Sequence, residues 1–279
     1  MRAVFKPSGA KVTSVAGHFG ELLQGRLGKD GPLVLVTLPC PSLAVHARAI
    51  LAAQCYLFSA QRISDTVSAR RFLNHLNSPA QFRFTLRADM PPGGGAGAST
   101  AALVALARLA GSTATPQDVA KACLAIEGAT DPLMFSSPER LLWASRRAET
   151  VAQLPALPRF EVLGGFWGPC QRTKASDLNF ADISDLVGVW KTLSPQSPVE
   201  ELAELSSESA RRNMALRSAT RDPTPDLAKA LGAAGCVIAH TGAARGFIFP
   251  RGGTPKHGTE LLREAGLRQI TMFRAGGAS

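Results

Sequence analysis

The stretch "PPGGGAGASTAALVALARLAG" (91–111) carries the residues best suited to chemistry. Four glycines fall between Gly93 and Gly97, Ser99 and Thr100 follow, and the Ala/Leu run beyond reads as a helix apolar nearly all round, hence buried. The segment before it, "QFRFTLRADM" (81–90), alternates as a strand does, with Phe82, Phe84, Leu86 and Ala88 on one face. Unsatisfied amides and the helix dipole make the start of such a helix favourable for an anion. Glycines let phosphate oxygens approach the backbone with no Cβ in the way. Ser99 and Thr100 offer hydroxyls to a phosphate oxygen or a divalent ion. A Walker A loop is excluded, because no lysine lies in or beside the stretch. The dinucleotide pattern GxGxx[GA] matches at Gly93, Gly95 and Ala98, but the next element (115–128) reads as a helix rather than a second parallel strand. The residues alone leave a phosphate cradle and a glycine-rich turn that binds nothing both open.

The elements around this loop come from periodicity and punctuation. "PLVLVTL" (32–38) reads as a buried strand and "LAVHARA" (43–49) as an alternating one. "ISDTVSARRFLNHL" (63–76) reads as a helix with Ser64 near its cap. "TPQDVAKACLAIEG" (115–128) reads as a helix capped by Thr115, with Pro116 at its first position and Asp118 in its first turn. Prolines and glycines thicken over 155–169, which marks a domain boundary between 1–154 and 155–279. A long helix over 199–219 follows, then strands over 236–242 and 245–250, a helix over 259–267 and a strand over 269–275. Antiparallel pairs with covering helices give an α+β class.

The bulk composition sets outer limits. With 279 residues, 45% of them hydrophobic, the chain can bury a sizeable core. No apolar run approaches the roughly 20 residues that cross a bilayer, so no membrane partner is expected. The N-terminus has no continuous apolar region and reads as mature protein rather than a signal peptide. The five cysteines are scattered and never form CxxC, which predicts reduced thiols and a cytoplasmic location. The net charge of +10 suits anionic partners, but there is neither a basic block nor aromatic interleaving, which argues against a dedicated nucleic-acid binder.

Four motifs in order along the chain resemble those of the GHMP kinase superfamily, which includes the galactokinases, homoserine kinases and mevalonate kinases. Gly95, Ala96, Gly97, Ala98, Ser99, Thr100 and Ala101 fall in register on its phosphate loop. "AGHFGELLQG" (16–25) resembles its first motif, a turn followed by Gly-Glu, in the form found in L-threonine kinases of cobalamin synthesis and propanediol utilisation. "EGATDPLMF" (127–135) resembles the acidic segment after the loop helix, and "AHTGAARGFIF" (239–249) the third motif.

The resemblance implies a two-domain fold, with an N-terminal domain like domain 2 of ribosomal protein S5 and a ferredoxin-like C-terminal sheet with helices. It implies an ATP- and Mg2+-dependent kinase whose acceptor is a small-molecule alcohol, best matched by the L-threonine hydroxyl. Pro92, Gly93, Gly94, Gly95, Ala96, Gly97, Ala98, Ser99 and Thr100 would hold the nucleotide. Ser99 and Glu127 would hold Mg2+, and Asp131 would orient or deprotonate the acceptor. Glu21, His18, Thr241 and Gly242 would face the acceptor. His240 reads as a packed side chain, and Arg245 is equally a substrate-binding and a solvated arginine. His18 departs from the small residue usual in the threonine-kinase form, and Ala98 from the usual serine. A homodimer is compatible with the family. Other acceptors (homoserine, a sugar, an isoprenoid alcohol) and a non-catalytic nucleotide- or RNA-binding relative stay open.

Overall fold

The computed structural model describes residues 9–172, 174–217, 222–239 and 242–277. The described strands are β1 (Lys11–Arg26), β2 (Leu33–Leu51), β3 (Tyr56–Phe58), β4 (Phe82–Ala88), β5 (Leu141–Ala144), β6 (Glu149–Gln153), β7 (Phe160–Phe166), β8 (Gly235–Ile238), β9 (Ala244–Pro250) and β10 (Arg268–Ala275). The helices are α1 (Thr66–His75), α2 (Ala98–Ala110), α3 (Pro116–Glu127), α4 (Ser184–Trp190), α5 (Val199–Arg217), α6 (Thr224–Leu231) and α7 (Gly258–Glu264). The strands join one sheet in the order β10-β7-β9-β8-β1-β2-β4-β3, with the β5–β6 hairpin hanging from β2. All strand pairs are antiparallel except β3 with β4. The class is α+β.

α2 is the hub of the core. It lies on β1 and β2, with α1 and α3 packed against it. Eleven of its residues are buried, which explains why its sequence carries no polar stripe. α3 starts as its sequence dictates: the Thr115 side chain accepts from the Asp118 amide, with Pro116 in the first turn. α1 differs by one residue, since Asp65 rather than Ser64 caps it, accepting from the Ser68 amide at 2.8 Å.

Three segments depart from the sequence reading. The two expected strands over 32–38 and 43–49 are one strand, β2; its prolines Pro39 and Pro41 fall beside the irregular stretch of β1 around Gly17–Gly20. "AGHFGELLQG" is not a turn but the middle of β1, bent by register shifts on both sides of His18. The glycine-rich 155–169 contains β7, every residue of which is buried. Gly164 is there for close packing, since a Cβ would meet Phe19 Cε1 at 2.5 Å. The main core joins side chains from both halves, among them Phe19, Leu103, Phe166 and Val237.

Candidate active site

The loop after β4 folds back on itself because three of its residues are left-handed: Gly93 (φ 75°), Gly95 (φ 75°) and Gly97 (φ 69°). Its carbonyls are pinned from outside. Gly93 O accepts from Gln171 N (3.0 Å), Gly94 O from Ala244 N (2.9 Å), Gly95 O from Gly20 N (3.2 Å) and Ala96 O from His18 N (3.2 Å). With the carbonyls turned away, the amides of Ala96, Gly97, Ala98, Ser99 and Thr100 donate to no described residue. They belong to the wall of a cleft of about 340 Å³. A run of free amides at the start of a buried helix is an anion cradle.

The facing wall comes from α3 and the turn after it. α3 ends at Glu127, and left-handed Gly128 (φ 71°) turns the chain back. Thr130 fixes that turn on β5: its amide donates to Ser145 O (3.0 Å), and Trp143 Nε1 donates to its carbonyl (2.7 Å). Glu127 and Asp131 are thereby brought to the first turn of α2. The Ser99 hydroxyl donates to Glu127, and Thr100 Oγ1 lies 3.2 Å from Glu127 Oε2 and 3.5 Å from Asp131 Oδ2.

β1 supplies the third side. Left-handed Gly20 (φ 71°) and the register shifts form a β-bulge, so that His18 and Glu21, three residues apart, both turn to the cleft. His18 Nε2 lies 3.3 Å from Asp131 Oδ2, and His18 Nδ1 3.5 Å from Glu21 Oε2. Thr37 on β2 donates to the same Glu21 oxygen at 3.5 Å.

Burial and charge set the protonation of these groups. Burial alone would lower His18, but Glu21 and Asp131 on either side outweigh it and raise the imidazole to about 9. Burial lifts Glu21 to about 7, with His18 opposing. Burial also lifts Glu127 to about 7. Asp131 goes the other way: burial would raise it, but His18 holds it below the usual carboxylate range. Asp131 is therefore an anion at neutral pH, beside an imidazolium. One ligand atom from each of His18, Glu21 and Asp131 lies within 4.8 Å of the others, and the imidazolium itself supplies the positive charge of that group. Ser99 and Glu127 present a hydroxyl and a carboxylate in contact, the hard oxygen donors that suit Mg2+.

Of the residues expected in the site, Pro92, Gly93, Gly95, Ala96, Gly97, Ala98, Ser99, Thr100, Glu127, Asp131, His18 and Glu21 share one cleft. Gly94 backs the loop against Pro91 and Phe166. Gly242 lies behind the loop, where a Cβ would come within 2.4 Å of Gly95 N. Thr241 and His240 lie outside the described residues. Arg245 is neither solvated nor free: it pairs with Asp222 at 2.9 Å and donates to Gly242 O (3.0 Å) and Ala244 O (2.8 Å), bracing the turn. Ser145, Arg146, Gln171 and Arg172 also line the cleft and were not anticipated. They sit in hairpin and loop segments without a local pattern to mark them.

Residues 63–136 match the family model of the GHMP kinases N terminal domain. Solved structures resemble the chain along its full length. A mevalonate kinase from methicillin-resistant Staphylococcus aureus is 15% identical over 97% of this chain and 100% of its own, with a TM-score of 0.62. A homoserine kinase from Cytophaga hutchinsonii is 15% identical over 99% and 97%, with a TM-score of 0.61. A mevalonate pyrophosphate decarboxylase from Streptococcus pyogenes is 9% identical over 99% and 98%, with a TM-score of 0.61. No curated protein matches by sequence. Residues 63–136 thus carry the signature of the GHMP kinases N terminal domain, and the chain along its length has the fold of these solved structures.

Proposed function

We propose that the protein is an ATP- and Mg2+-dependent kinase that phosphorylates the hydroxyl of a small molecule, with L-threonine as acceptor and O-phospho-L-threonine as product. The observation that carries this reading is the row of amides over 96–100 that donate to no described residue and share one cleft with Glu127 and Asp131. Residues 1–154 would form the nucleotide-binding unit and 155–279 the unit that closes the cleft from behind.

Phosphoryl transfer asks a protein for positioning and charge neutralisation more than for covalent chemistry. The amides of the loop would hold the polyphosphate, and Ser99 and Glu127 would hold Mg2+, which would supply neutralising charge to the transferring group. The acceptor oxygen forms a bond to the γ-phosphorus as the bond to the bridging oxygen of ADP breaks, and the hydroxyl proton is released to water. Asp131 is too acidic to be a strong base for an alcohol, so its part is to accept a hydrogen bond from the hydroxyl and aim it. His18 keeps Asp131 ionised for that task. The Gly-Glu-Leu-Leu-Gln-Gly sequence of β1 (20–25) supports threonine among hydroxyl acceptors.

An ADP-release assay over L-threonine, L-homoserine, sugars and an isoprenoid alcohol, with and without Mg2+, tests the reading. Turnover that needs both L-threonine and Mg2+ is expected. Ser99→Ala and Asp131→Ala are each expected to lower kcat by about 100-fold or more with the thermal midpoint retained. Full activity in both variants would remove the assigned roles.

A further inference from the structure

We infer that Arg146 is the residue that reads the acceptor, and that the acceptor carries a carboxylate. This rests on the kinase reading above. Arg146 sits at the tip of the β5–β6 hairpin and lines the cleft. Its guanidinium is poorly satisfied: Nε is buried without a partner, and the remaining contacts are long, 3.5 Å to Ser145 Oγ and 3.3 Å to Lys174 O. Other partly buried arginines each hold a carboxylate, although the Nε of Arg217 is likewise buried without a partner. Arg212 holds Asp185 at 2.6 Å, Arg217 holds Asp177 at 2.8 Å and Arg245 holds Asp222 at 2.9 Å. Among the described residues Arg146 has no carboxylate at ion-pair distance. A guanidinium taken from water and left with spare donors is costly, and the cost is recovered when a planar anion docks on it.

Its position separates the acceptor from the nucleotide. The cleft holds a second arginine, Arg172, which donates to Arg62 O, follows Gln171 at the rim of the glycine loop, and is the cation that acts on Glu127 and Asp65. Arg172 therefore belongs to the polyphosphate end. Arg146 acts on Asp131, the group that aims the acceptor hydroxyl, and its own hairpin carries the carbonyl that fixes the Asp131 turn. An acceptor with its hydroxyl on Asp131 shares one cleft with Arg146. The chemistry this selects is a hydroxy acid, amino acids included. A neutral polyol or an isoprenoid alcohol leaves the guanidinium unpaired.

The test pairs L-threonine with its carboxamide and its reduced alcohol, in wild type, Arg146→Gln and Arg146→Lys. Wild type is expected to prefer the acid by about 100-fold in kcat/KM, and Arg146→Gln to erase that preference while KM for ATP stays unchanged. Arg146→Lys should recover part of it, since charge returns without the planar fork. Equal loss on acid and carboxamide, or a rise in KM for ATP instead, would overturn the assignment. Thermal shift with a non-hydrolysable ATP analogue and Mg2+ supplies a readout independent of turnover. L-threonine is expected to stabilise wild type beyond its carboxamide, and Arg146→Gln to lose the difference. If no alcohol is phosphorylated by wild type, the kinase reading fails, and Arg146 still stands or falls on that shift.

Discussion

His18 lies between two carboxyl groups, Glu21 and Asp131, and its charge has a consequence for stability. The folded value of about 9 lies above the 6.5 of an unconstrained imidazole. A raised value means that the folded chain holds the proton more tightly, so the contribution is fully present below about 6.5 and is lost as pH rises through 9. Glu21 moves the same way lower on the scale, being favoured neutral until pH passes about 7. The thermal midpoint of the unliganded protein is therefore expected to fall between pH 6 and 9.5. His18→Gln should flatten the upper part of that fall, a difference on the order of 2 kcal/mol. An unchanged slope in the variant would show that His18 is neutral in the fold.

At the scale of elements, the site depends on how β1 is bent. A straight strand would send His18 and Glu21 to opposite faces. Gly20→Ala would place a Cβ 2.9 Å from Ile238 C at a φ of 71°. The expected cost is about 1–3 kcal/mol, together with a several-fold rise in KM for the acceptor and little change in KM for ATP. A variant with unaltered KM would mean that the bulge does not aim the acceptor side. This bulge is also where sequence reading ran out. The alternation of Phe82 to Ala88, the all-apolar α2 and the Thr115 cap depend on residues close in sequence, and all could be read directly. β1 has glycines at 17, 20 and 25 and few β-branched residues, so it read as a turn. Pro39 and Pro41 make β2 read as two strands, because prolines ordinarily break a strand. The glycines of β7 hide a buried strand from sequence reading because the side chains that crowd them, Phe19 for one, come from elsewhere in the chain. The site followed the same division. Ser99, Glu127 and Asp131 stood out beside recognisable helix ends, whereas Thr37, Arg146 and Arg172 reach the cleft only through sheet pairing and loop docking.

The whole molecule has a net charge of +10, which leaves RNA as the rival anion. Mg-ATP is expected to raise the thermal midpoint, by about 2.7 kcal/mol of stabilisation at a hundredfold excess over Kd, and RNA at physiological salt to leave it unchanged. The reverse pattern would favour a binding module over an enzyme. No helix among the described residues is long and apolar enough to cross a membrane.

The glycine loop takes its shape from partners at both ends of the chain: the amides of His18 and Gly20 upstream, and those of Gln171 and Ala244 downstream. During translation, then, residues 93–97 leave the ribosome long before half of their anchors have been made. A nascent chain has the loop's sequence early, but acquires the loop's folded shape only when nearly all of the protein has been synthesised.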